Sequence, residues 1–121
     1  MLTEKDYCDY DTCVALKELG FKQLVDWYFN EGKNIVPLHA RYRNTFVPRI
    51  TVYEAQKWLR EEKTIVVLVG FDFCPITSEI VYNWVIVVNG KTAKKSSYTY
   101  DYFEEALSEG VKCAVKILKE E

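Results

Sequence analysis

Two periodicities of apolar and polar positions organise the chain. Between residues 52 and 61, Val52, Ala55, Trp58 and Leu59 recur every three or four positions, with Gln56, Lys57, Arg60 and Glu61 between them. That is the stripe of an amphipathic helix. Thr51 and Glu54 stand at its start as a capping box: the threonine hydroxyl accepts from the Glu54 N–H, and the glutamate reaches back to the Thr51 N–H. The helix is expected to end near Glu62 or Lys63. A longer helix is predicted from Asp101 to Lys119, where Phe103, Ala106, Leu107, Gly110, Val111, Ala114, Ile117 and Leu118 keep the same spacing. Its acids come first and its lysines (Lys112, Lys116, Lys119) last, an order that complements the helix dipole. A short third helix is predicted over Asp11–Leu19, opened by Asp9 and Asp11 and stopped by a left-handed Gly20, with Phe21 folding back on Leu16.

Elsewhere the pattern becomes that of strands. Three are predicted, over Thr64–Phe73, Ile80–Val88 and Lys91–Tyr98. Asn89-Gly90 supplies the two positive-φ residues of a type I′ hairpin, which places Val88 opposite Lys91, Ile86 opposite Ala93 and Trp84 opposite Lys95. Lys91, Lys94 and Lys95 mark the last strand as an edge. A second hairpin is predicted from Trp27-Tyr28-Phe29 and Ile35–Leu38 around the turn Asn30–Asn34, followed by an irregular stretch from His39 to Arg49. The resulting order is α-β-β-α-β-β-β-α in a single domain, residues 1–121. Its class is α+β: two layers, with an antiparallel sheet and helices mainly on one face. Two strands are apolar on both faces, since Val66, Leu68, Val81, Val85 and Val87 lie opposite the core-facing rows. Such strands need two covers. Residues 21–49 are expected to supply the second, with self-association into a homodimer as the competing solution.

Composition narrows the function. Of 121 residues 49% are hydrophobic and 28% charged, enough for a core and too apolar for a disordered chain. The net charge of -2 excludes a global basic field, but it averages segments of -3 (residues 1–20), +3 (21–63) and -2 (64–121). The longest apolar run, Ile65–Val69, is far short of the ~18 residues that cross a bilayer. No membrane association is expected. The polar, acidic start resembles no export signal, so a cytoplasmic location is expected, with Cys8, Cys13, Cys74 and Cys113 as reduced core residues.

No constellation of an enzyme is visible. The chain has one histidine, His39, no C-x-x-C unit and no phosphate-binding glycine loop, so no catalytic residue, metal or cofactor is expected. Cys74, between Phe73 and Pro75, is read as an inert loop thiol unless a neighbour lowers its pKa. The segment 38–49 is the candidate binding element. Arg41, Tyr42, Arg43, Phe46 and Arg49 occur there without an acid, and arginine forks beside aromatics suit phosphate contact, base stacking or a protein hot spot. The plain alternative is a solvated loop whose aromatics turn inward.

Thr51–Glu61, the Ile-Val strand after it, Tyr82-Asn83-Trp84 and Tyr102-Phe103-Glu104-Glu105-Ala106-Leu107 together resemble a pattern in small uncharacterised proteins of gut bacteria and their phages. The resemblance covers about two-thirds of the chain, carries no catalytic residues, and implies a bacterial or phage cytoplasm. The sequence thus points to a small non-enzymatic interaction module with a protein partner or a second copy of itself. The alternative is a nucleic-acid-binding accessory protein that uses Arg41–Arg49.

Overall fold

The computed structural model describes residues 2–40 and 45–120. Helix α1 spans Tyr10–Glu18, α2 Val52–Lys63 and α3 Phe103–Lys119. The strands are β1 (Trp27–Phe29), β2 (Ile35–Pro37), β3 (Val47–Pro48), β4 (Ile65–Phe73), β5 (Ile80–Val88) and β6 (Lys91–Lys95). The class is α+β, as expected, and the order matches apart from the two-residue β3. The strands divide between two antiparallel sheets, β2-β1-β3 and β4-β5-β6. No helix among the described residues is long and apolar enough to cross a membrane.

Local chemistry sets the helix ends. Asp9 caps α1, its carboxylate accepting from the Thr12 N–H at 2.8 Å. Gly20 takes φ +110, so that the N–H groups of Gly20 and Phe21 close on the carbonyls of Lys17 and Leu16 in a Schellman stop. The Thr51–Glu54 capping box is present in both directions, at 3.0 and 3.1 Å. Asn89 and Gly90 both have positive φ, as the hairpin requires.

The register of that hairpin departs from expectation. Val88 pairs with Lys91, but a bulge between Ile86 and Val87 leaves Ala93 as the extra residue. Lys94 therefore faces Ile86, and Lys95 faces Val85 instead of Trp84. At Ser96 the N–H still donates to the Trp84 carbonyl at 2.9 Å while the hydroxyl accepts from the Trp84 N–H at 3.2 Å, so a side chain stands in for half of the pair where β6 ends.

Helices α2 and α3 cover the face of β4 and β5 that carries Ile65, Val67, Trp84 and Ile86, all buried. Gly110 sets how closely α3 approaches. A Cβ there would lie 2.6 Å from Val67 Cγ1 and 3.2 Å from Trp84 Cβ, so only glycine fits at this spacing. The short sheet packs on α1, with Tyr28 and Val47 buried beneath it. It does not cover the second face of the large sheet. Leu68 is exposed there, and Val66, Val81, Val85 and Val87 are half-buried. The expected cover fails because the short sheet has an apolar side of its own, which α1 satisfies.

Charged groups tie the first helix to the last. Lys112 lies 3.1 Å from Asp9 and 3.3 Å from Glu109, and Lys119 lies 2.8 Å from Glu18. Burial alone would lower the Lys112 pKa; the Asp9 and Glu109 carboxylates outweigh it and hold the ammonium above its ordinary value. Before α1, the Tyr53 hydroxyl donates to Asp6 Oδ1 at 2.6 Å. Cys8 and Cys13 are buried, the latter's Sγ accepting from the Ile50 N–H, whereas Cys74 and Cys113 are only half-buried. The core thus holds two of the four thiols fully.

Two outcomes are expected. Gly110→Ala should lower stability by up to about 2 kcal/mol, an overpacking cost of about 1–3 less roughly 1 of gained helix propensity. The check is a reduced denaturation midpoint at unchanged slope. Burial and the Asp6 bond push the Tyr53 phenol up to about 12. Its raised value means the neutral phenol stabilises the fold fully below the ordinary tyrosine pKa of about 10 and ceases to do so as pH rises toward the folded value. A spectrophotometric titration of wild type against Tyr53→Phe should show a late-titrating phenol that the variant lacks.

Candidate functional site

The candidate surface grows out of a mismatch in length. Strands β4 and β5 pair over their full extent, from Ile65↔Val88 to Phe73↔Ile80. The helical layer is shorter than this ladder. Along the core-facing row of β4, Ile65 and Val67 are buried and Val69 is half-buried, yet Phe71 and Phe73 are 64% and 57% exposed. Opposite them Ile80 is exposed, and Ile76 in the connecting loop is 91% exposed. The row that builds the core therefore continues past the helices as a bare apolar end. Contiguous apolar surface of this kind is uncommon on a monomer unless something binds it.

The patch is ordered by its own contacts. The rings of Phe71 and Phe73 meet edge-to-face at 6.1 Å, and Tyr82 meets Phe103 likewise at 6.0 Å. Phe103 begins α3, so the helix start borders the patch. Next to it, Lys5 Nζ stands 3.3 Å from the ring centre of Tyr102. Tyr82 and Tyr100 exchange both backbone hydrogen bonds at 2.8 Å, which anchors the segment leading into α3 against β5. On the reverse face of the same hairpin, exposed Leu68 continues the apolar character among the half-buried valines.

The loop at the hairpin tip holds Cys74. Its N–H donates to the Glu79 carbonyl and its carbonyl accepts from the Ser78 N–H, each at 2.8 Å. Hydrogen bonds from the Thr77 hydroxyl first, then from the amides of Thr77 and Ile76, stabilise the thiolate and hold the thiol below its ordinary value. The lowering comes from hydrogen bonds of the turn itself, a source that residue spacing along the sequence does not reveal.

Of the binding residues singled out from the sequence, the two described ones, Phe46 and Arg49, face different clefts. Arg41, Tyr42 and Arg43 lie outside the described residues. Phe46 is half-buried against the core and lines a cleft of about 370 Å³ with Lys17, Phe21 and Tyr28. The Lys17 ammonium donates to the Phe46 carbonyl at 3.1 Å. Arg49 turns to a different cleft, of about 320 Å³, beside Tyr7, Trp27 and Tyr53. Its guanidinium is 2.6 Å from Glu4, lies 3.8 Å over the Tyr7 ring, and its side chain is 11% exposed. It clamps the N-terminal segment. His39 lies exposed in a single 3₁₀ turn, Leu38–Ala40. Among the described residues no group of His, Cys, Asp and Glu side chains is arranged to hold a metal ion.

Comparison with family models, with curated proteins and with solved structures returns no match. The surface is therefore read from its own chemistry.

A thiol titration of native protein should show Cys74 reacting ahead of Cys8 and Cys13, which react only on unfolding. Its pH–rate midpoint should lie below the ~8.5 of a free cysteine and move toward that value in Thr77→Val.

Proposed function

We propose that this chain is a small non-enzymatic interaction module that works in a cytoplasm and docks a protein through the apolar end of the β4–β5 hairpin. One observation carries the reading: the core-facing row of β4 stays apolar where it has left the helical cover, at Phe71 and Phe73. Folding alone would favour polar side chains at these positions, since an exposed phenylalanine loses the transfer free energy that burial supplies. Aromatic anchors with little rotamer freedom suit the centre of a protein interface. Four unbridged thiols accord with a reducing compartment. Self-association through the same end is the homodimeric version of this reading.

The test separates docking from folding. Phe71→Ser with Phe73→Ser should change stability by no more than about 0.5 kcal/mol per site, as at ordinary surface positions, against about 3–5 for a core phenylalanine. The same variant should abolish whatever association the wild-type chain shows, whether concentration-dependent mass in light scattering or retention of a partner. A strictly monomeric wild type that retains no protein, or a variant that associates as well as wild type, overturns the reading.

A further inference from the structure

The opposite end of α3 carries a second surface, distinct from the hairpin end. A cleft of about 330 Å³ lies between β6 and the C-terminal half of α3. Lys94 and Lys95 line it from the strand and Lys112 and Lys116 from the helix, while Trp84, Tyr98 and Tyr100 supply its aromatic groups. Lys94 reaches this side because the Ala93 bulge sets it opposite Ile86, on the covered face of the sheet. Glu109 is the one carboxylate in the lining, and it is engaged with Lys112, which Asp9 also pairs. Among the described residues, no carboxylate lies within ion-pair distance of Lys94, Lys95 or Lys116.

Edge protection accounts for lysines on β6 but not for this arrangement. A helix laid beside a lysine-bearing edge stabilises it best by offering glutamates, yet α3 offers Lys112 and Lys116. The acids are gathered elsewhere: Glu4, Asp9, Glu104 and Glu105 line an adjoining cleft of about 270 Å³ around the N-terminal half of α3. Charge is thus sorted along the helix beyond what the dipole asks for, since dipole effects fade within the first and last turn. Beside the uncompensated lysines, Tyr98 is 76% exposed and makes no ring contact with another described residue. Trp84 and Tyr100, whose indole N–H and hydroxyl lie 3.4 Å apart, form the rigid wall behind it.

We propose that this cleft binds single-stranded nucleic acid, with Lys94 and Lys116 on the phosphates and Tyr98 stacking on a base. Unpaired cations that track a backbone, together with an open aromatic face, are the two elements such sites combine. An acidic peptide would use the lysines and leave the ring of Tyr98 without a purpose. Two phosphate contacts give a salt slope of about -1.4, because each neutralised phosphate of a single strand contributes roughly 0.7.

The experiment is fluorescence anisotropy of the full chain with an end-labelled oligothymidine of about 12 nucleotides. Affinity should fall roughly sevenfold between about 50 and about 200 mM salt. Lys94→Glu with Lys116→Glu should abolish binding, and Tyr98→Ala should weaken it about tenfold. Lys57→Glu on α2, outside the cleft, should change little. All four positions are exposed, and circular dichroism verifies that each variant is folded. Absence of binding at about 50 mM salt, or binding indifferent to the Lys94 and Lys116 reversals, overturns the proposal. So does equal affinity for polyglutamate with no effect of Tyr98→Ala, which assigns the cleft to an acidic protein segment.

Discussion

The contact on which the rest of the molecule depends is the approach of Gly110 to Val67 and Trp84. At this point a helix backbone rests on the sheet with no side chain between. Every other burial on that face follows from the spacing it sets. Leu107, Val111 and Ala114 reach full burial around it, and α2 packs alongside α3 on β4. The glycine costs helix propensity, about 1 kcal/mol relative to alanine. Closer packing of large apolar side chains on either side offsets that cost.

The same geometry explains why the surface divides into two ends. A helix seated deep on a longer hairpin must leave the far part of that hairpin without cover, and here the uncovered part keeps its aromatic residues. At the near end a cleft separates α3 from the edge strand. One end is apolar, the other cationic. A module of this size can present two chemically unlike surfaces because they sit at opposite ends of one rigid helix.

Much of the fold was legible in the residues. The Thr51–Glu54 box, the Gly20–Phe21 stop and the Asn89-Gly90 hairpin act within a few positions of one another, so local rules suffice to place them. What escaped was set by non-local geometry. The bulge at Ala93 depends on how β6 meets β5, and Pro48 pairing with Tyr28 joins residues far apart in the chain. The same holds for function. Arg41, Tyr42, Arg43, Phe46 and Arg49 drew attention because their basic and aromatic side chains are neighbours in sequence, yet Arg49 is spent on Glu4 and Tyr7 while Phe46 turns to α1. Phe71 and Phe73 continue a row that is core further back, so alternation alone does not mark them as exposed. Lys94 and Lys116 are 22 positions apart and come together only once α3 returns beside the sheet. The one sequence signal pointing that way was the pair Lys112 and Lys116, a helical turn apart and also explained by the dipole.

The two long edges of the large sheet are closed by different means. On β4 the Gln56 amide donates to the outward carbonyl of Val67 at 2.7 Å, so a side chain from α2 occupies a position that a foreign strand would need. On β6 the extra residue Ala93 breaks the regular spacing of donors and acceptors, and lysines repel an incoming copy. With both margins of the large sheet obstructed, strand-by-strand growth from it is disfavoured. Assembly through the large sheet is thereby directed to its faces and ends.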